Sequence, residues 1–112
     1  MPNIAQIRPA GPTLGLSVVA ASHAAVALTL YAGEYPTWVA CLNTGPNTVA
    51  IKFSQTGVAS VLPGDGTTGD YILPALMTGP VLLPLTSMTP YVTAIGSAAG
   101  PALVYVTPVS PA

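Results

Sequence analysis

Between Thr37 and Ser54 two runs of alternating character flank a single cluster of turn residues, Thr44-Gly45-Pro46-Asn47. This pattern predicts a β-hairpin. If Asn43 stands opposite Thr48, then Leu42 faces Val49, Ala40 faces Ile51 and Trp38 faces Phe53, all on one side. Trp38, Leu42, Val49, Ile51 and Phe53 are therefore the expected core residues. The other side carries Thr37, Val39, Cys41, Ala50, Lys52 and Ser54, a half-polar set suited to a surface or to contact with a partner. Register matters here, because a slip of one residue exchanges the two faces.

The same reading along the rest of the chain gives further short extended segments. Leu16 to Ala20, Val26 to Tyr31, Val58 to Leu62, Tyr71 to Leu73, Val81 to Leu85, Tyr91 to Ile95 and Ala102 to Thr107 are rich in β-branched and aromatic residues and are divided by Gly and Pro. In the last of these both faces are apolar, which places it centrally in a sheet, while Pro84 marks its own segment as an edge. Pro63 to Asp70, the longest polar stretch, reads as an exposed loop. The tail from Pro108 to Ala112 is expected not to pair. Met1 to Gly15, broken by Pro2, Pro9, Gly11 and Pro12, reads as an extended arm. Seven or eight short strands without a convincing helix predict an all-β fold, a small β-sandwich of jelly-roll or Greek-key type. The expected organisation is an N-terminal arm over residues 1–15 and one sandwich domain over residues 16–112.

Composition narrows the function more than it changes the fold. Of 112 residues only 4% are charged, against about a quarter in an ordinary soluble domain. Arg8, Glu34, Lys52, Asp65 and Asp70 are the whole inventory, and apolar residues make up 51%. Two basic residues exclude nucleic acid as a direct partner, since phosphate binding needs clustered Lys and Arg. Pro and Gly interrupt the uncharged stretch from Pro9 to Gly33 and leave no run of about 18 apolar residues, so no membrane span is expected. A signal peptide with the Ala-rich stretch as its cleavage region fits poorly, because its charged start is thin. A chain this apolar and this poorly charged is suited to spending its life against other protein.

Candidate chemistry is sparse. His23 is the only imidazole and has no carboxylate near it in sequence; Cys41 is the only thiol and reads as a small buried hydrophobe. No local motif joins them into a nucleophilic pair. Asp65 to Asp70 has the carboxylates, glycines and hydroxyls of a calcium loop but not its spacing or its terminal bidentate Glu. It is no phosphate loop either, lacking a following Lys. No catalytic, cofactor or metal residue is expected, and the chain reads as a non-enzyme. Residues suited to partner contact are Ile4, Ile7 and Arg8 in the arm, Val39 and Lys52 on the outer hairpin face, and Tyr35 and Tyr71 at loop ends, where an apolar ring with a wet hydroxyl favours an interface.

Trp38 to Ser54, together with Val92 to Ile95 and Ala102 to Thr107, resembles short proteins of tailed-phage structural modules, namely capsid decoration, cement or staple proteins. Shared features are a strand ending in Asn, a Gly-containing turn, a strand ending in Phe, a polar loop and a closing apolar strand ending in Thr. Pro108-Val109-Ser110 stands where many members carry a Gly-Glu-Gly-like tail. The resemblance implies a virion protein on the outer surface of the icosahedral capsid, stabilising contacts between capsomers of the major capsid protein as a homodimer or homotrimer. Two alternatives share the fold and composition. One is a phage tail, baseplate or fibre module, and the other is a secreted adhesin or carbohydrate-binding β module.

Overall fold

The computed structural model describes residues 7–34, 36, 38–85, 91–98 and 101–111. Among these there is no helix, and hence none long and apolar enough to cross a membrane. Nine strands follow one another: β1 (Ile7–Pro9), β2 (Leu14–Val18), β3 (Val26–Ala27), β4 (Trp38–Asn43), β5 (Val49–Ser54), β6 (Tyr71–Leu73), β7 (Val81–Pro84), β8 (Tyr91–Gly96) and β9 (Ala102–Pro111). They form two antiparallel sheets packed as a small β-sandwich. One sheet has the order β1-β9-β4-β7 with β2 also on β9, and the other the order β3-β8-β5-β6. Between the sheets lies a core of Leu16, Val18, Leu28, Val39, Cys41, Val49, Ile51, Leu73, Val92, Ala94, Ala102, Val104 and Val106. No aromatic ring is among the fully buried side chains of the described residues; the space is filled by Val and Leu.

That composition bears on the most consequential departure from the sequence reading. β4 and β5 do not pair. β4 lies between β9 and β7, whereas β5 lies between β8 and β6 in the opposite sheet. Residues 44–48 therefore carry the chain across the sandwich instead of turning it back within one sheet. The inward face of β5 is the expected one, with Val49 and Ile51 buried and Phe53 packed against the core. The inward face of β4 is the other one: Val39, Cys41 and Asn43 are buried, and Trp38, Ala40 and Leu42 are half-buried on the outside. Trp38 and Leu42 are thus not core residues, and Val39, at 0% exposure, is not a surface residue.

Asn43 holds the crossing in place. Its Nδ2 donates to the carbonyls of Asn47 at 2.8 Å and Pro74 at 3.2 Å, and its Oδ1 accepts the Gly45 N–H at 3.0 Å. Its backbone carbonyl accepts the Met77 N–H at 2.9 Å. A buried amide with every arm occupied ties the crossing to the segment after β6. Gly45 packs flat on β9, where a Cβ would stand 2.5 Å from Ala102 Cα, so only glycine permits the approach.

The N-terminal stretch and the tail meet. β1 pairs with residues 109–111 and β2 with residues 102–106, so both lie along one edge of β9. Between them residues 10–13 span what 107 and 108 span on β9, a wide bulge containing Gly11 and Pro12. The tail is therefore strand, not loose chain, as far as Pro111. Pro108 is tolerated there because its carbonyl, accepting the Ala10 N–H at 2.8 Å, points at the bulge. Its missing N–H points the same way, where no regular ladder bond exists to lose. Of the stretch read as an arm, Ile7–Pro9 and Leu14–Gly15 are strand residues, and residues 1–6 lie outside the described residues.

Val58 to Leu62 is not a strand. Its polar groups go instead to side chains: Ser60 N–H to Ser22 Oγ at 3.0 Å, Val61 N–H to Asp70 Oδ2 at 2.7 Å, and the Val58 carbonyl to Thr93 Oγ1 at 3.0 Å. These bonds lay the segment over the four-stranded sheet, with Ser60 buried against Thr93 at 2.7 Å.

Candidate functional site

Two surfaces follow from this architecture. The first is the outer face of the five-stranded sheet. Registers Ala40↔Leu82, Ala40↔Thr107, Leu42↔Tyr105, Gly15↔Tyr105, Ser17↔Leu103 and Trp38↔Pro84 place these side chains in cross-strand rows on one face. It carries no charge. Leu103 is 40% exposed, and Leu82, Tyr105, Trp38 and Leu42 are half-buried by one another. At one end, Leu103 and Leu76 flank Gly45: the Leu76 N–H donates to the Gly45 carbonyl at 3.0 Å, and the Leu103 nitrogen lies 3.0 Å from where a Gly45 Cβ would be. Leu76 is 67% exposed and has φ of 53°, a left-handed conformation that a branched side chain adopts at a cost.

The second surface is a cleft of about 350 Å³ between β6 and β7, each the last strand of its sheet among the described residues. β6 pairs with β5 only as far as Tyr71↔Ile51, which leaves Lys52 and Phe53 uncovered on that side. Ile51, Phe53, Leu83 and Pro84 form its wall, and Lys52, Asp70 and Tyr71 its rim. Lys52 Nζ stands 3.5 Å from Asp70 Oδ1. Asp70 is fixed on the backbone of Val61, whose N–H donates to Oδ2 at 2.7 Å and whose carbonyl accepts the Asp70 N–H at 2.9 Å. The Tyr71 ring, 52% exposed, stands at the mouth.

Of the residues the sequence singles out for partner contact, Lys52 and Tyr71 come together at this cleft. Ile7 is exposed on β1, and Arg8 pairs with Glu34 on the far side of the bulge. Val39 is withdrawn into the core, and Ile4 and Tyr35 lie outside the described residues. Asp70, Phe53 and Leu83 were not foreseen at a site, and neither were Leu76, Leu82 and Leu103. Sequence carried one usable signal for them: Leu82, Leu103 and Tyr105 alternate with residues that the core claims.

The remaining candidates have settled roles. Cys41 is buried, and desolvation pushes its thiol up to about 12, so at neutral pH it is a protonated space-filler and not a nucleophile. His23 Nδ1 lies 2.7 Å from the Ala24 carbonyl, and its backbone N–H donates to Ala94 at 2.8 Å. Among the described residues no three of His, Cys, Asp and Glu gather into a group able to hold a metal ion. Asp70 of the former calcium-loop candidate is committed to Lys52 and Val61.

No protein-family model, curated protein or solved structure matches the chain. What the two surfaces do is therefore read from their geometry.

Proposed function

We propose that this protein is a non-enzymatic virion subunit that binds the outer surface of an icosahedral capsid and stabilises contacts between capsomers of the major capsid protein, acting as a homo-oligomer. The observation that carries the reading is the uncharged outer face of the five-stranded sheet, ending in Leu76 and Leu103. Both basic side chains stand beside an acidic partner within the chain, Arg8 with Glu34 and Lys52 with Asp70, and neither lies on this face, so adhesion there has to come from apolar area. A face of Leu, Trp, Tyr and Ala without charge is suited to desolvation against another protein, and many copies on one shell multiply a modest affinity.

Strand order supports the same reading. Written one above the other, the two orders set β2 over β3, β9 over β8, β4 over β5 and β7 over β6. This order fits a long antiparallel ribbon wound around a sandwich and supports a jelly-roll reading, an arrangement that viral capsid domains share with lectin domains and cupins.

The test is co-sedimentation of the purified protein with shells assembled from major capsid protein alone, followed by electron microscopy. Leu103→Lys and Leu76→Lys place a charge where the side chain is already exposed, so the fold tolerates them. Both are expected to lower retention on shells at least tenfold without changing the circular dichroism spectrum. Unchanged retention of both variants, or recovery of the wild-type protein with tails instead of heads from fractionated particles, overturns the proposal.

A further inference from the structure

The geometry points to the β6–β7 cleft as a binding site for a neutral sugar ring, a hexopyranose free or at the end of a glycan, with Tyr71 as its stacking platform and Lys52 and Asp70 as its polar contacts. This site meets the uncharged sheet face at Pro84 and goes beyond the shell-binding reading. Its volume, about 350 Å³, is at the low end of the range of small-ligand sites, and its lining has their usual make-up of an apolar wall with a few polar groups at the rim.

The choice of ligand class follows from the charges. The cleft has one cation and one anion, and they face each other, so its net charge is zero. An anionic ligand gains Lys52 but meets Asp70; a cationic ligand gains Asp70 but meets Lys52. A neutral ligand bearing both hydroxyl donors and acceptors satisfies the two at once. At 3.5 Å the Lys52–Asp70 contact is longer than a hydrogen bond, so the ammonium retains unspent donors. Asp70, held by both backbone groups of Val61, is already in place and loses little freedom on binding. Beside these polar groups stands the open Tyr71 ring, and Phe53, Leu83 and Pro84 form the wall; both ask for an apolar face. A sugar ring has both characters, hydroxyls around its edge and a C–H face.

The test is an amide-resolved NMR titration of the isolated full-length chain with glucose, galactose, mannose and N-acetylglucosamine, and with glucuronate and glucosamine as charged counterparts. At least one neutral sugar is expected to move the amides of Lys52, Phe53, Asp70, Tyr71 and Leu83 together. Saturation is expected in the range of about 1–10 mM, as befits an open site with few contacts. The charged counterparts should bind several-fold more weakly. Tyr71→Ala, at an exposed position, should keep the rest of the spectrum and weaken binding at least tenfold. Lys52→Met should abolish binding, and Lys52→Gln should retain part of it. The inference is overturned if no neutral sugar moves these amides, if the shifts fall elsewhere, if glucuronate or glucosamine binds more tightly than its neutral parent, or if Tyr71→Ala binds as the wild type does. Retention on capsid shells does not enter any of these readings, so shell binding and sugar binding succeed or fail separately.

Discussion

Asn43 sits where β4 leaves the five-stranded sheet, and its replacement tests whether the crossing is held by that one amide. Truncation in Asn43→Ala removes the bonds from Nδ2 to Asn47 and Pro74 and the bond from the Gly45 N–H to Oδ1. It leaves a buried donor and at least one carbonyl without partners, each costing about 1–3 kcal/mol. Water entering the vacated space recovers some of this, so the expected loss is about 3 kcal/mol, a large share of the ~5–15 kcal/mol that holds a domain together. For a chain of this size that lowers the melting temperature by about 10–15 °C. Urea unfolding followed by circular dichroism reads it directly, as a lower midpoint at unchanged slope.

Asn43→Asp is the sharper variant. It keeps an acceptor for the Gly45 N–H but turns a carboxylate oxygen toward the carbonyls of Asn47 and Pro74. Burial and those carbonyls both disfavour the charged form, so the folded-state pKa rises above the unfolded value near 3.9. The protonated acid supplies one of the two bonds that the amide donated, so the variant is at its most stable, though below the wild type, under about pH 3.9; that stability is lost as pH rises toward the folded pKa, by up to about 1.4 kcal/mol per pH unit. The gap between Asn43→Asp and the wild type should therefore widen from pH 3 to pH 7. A loss below about 0.5 kcal/mol in Asn43→Ala, or a gap for Asn43→Asp that does not change with pH, refutes the assignment of the crossing to this side chain.

Thr93→Val keeps the shape but deletes the hydroxyl that donates to the Val58 carbonyl and accepts from Ser60 Oγ; a loss of about 1–2 kcal/mol is expected, with faster hydrogen exchange at the Ser60 and Val61 amides. Cys41 should resist iodoacetamide in the native protein at pH 7–9 and react only on unfolding. Because its folded pKa lies above the unfolded one, it contributes stability in full below about pH 8.5 that declines as pH rises toward 12, so Cys41→Ala should show a shallower alkaline limb in urea midpoints. Leu76→Asn, which suits the left-handed conformation and removes an exposed apolar group, should raise stability by about 0.5–1 kcal/mol while lowering retention on shells; a loss of more than about 1 kcal/mol in urea unfolding would show that Leu76 packs in the free subunit.

Much of the strand content was legible in the sequence because short apolar runs between Gly and Pro have few other uses. β6 has the expected bounds, β7, β8 and β9 begin where expected, Pro84 stands on an edge strand, and the doubly apolar β9 is central. The hairpin was misread for a local reason. Thr44 to Asn47 announces a reversal, but a reversal within a sheet and a crossing between sheets use the same turn residues. Both faces of residues 38–42 are apolar, so periodicity did not choose between Trp38-Ala40-Leu42 and Val39-Cys41. The choice falls to contacts distant in sequence: the Asn43 amide on the Pro74 carbonyl, and Gly45 flat on Ala102. The cleft was half-legible for the same reason. Lys52 and Tyr71 are conspicuous by type, whereas Asp70, Phe53 and Leu83 become neighbours only because β6 ends at Tyr71 and the two sheets part beyond it.

The scarcity of charge links the two surfaces. With only five Asp, Glu, Lys and Arg side chains in 112 residues, each placement is costly to misuse, and four of the five face one another in two ion pairs that join distant segments, Arg8 to Glu34 and Lys52 to Asp70. Pairing on the surface stabilises little, typically under about 1 kcal/mol, so stability alone does not account for so complete a use of the inventory. Its effect is to keep the sheet face bearing Leu42, Leu82, Leu103 and Tyr105 free of any charge that burial against a partner would have to desolvate. The second pair does this while leaving one polar, electrically neutral spot beside an open tyrosine. If the chain adheres through apolar area, as proposed, its polar recognition belongs beside the adhesive face and not on it, and the β6–β7 edge, which meets that face at Pro84, is such a place.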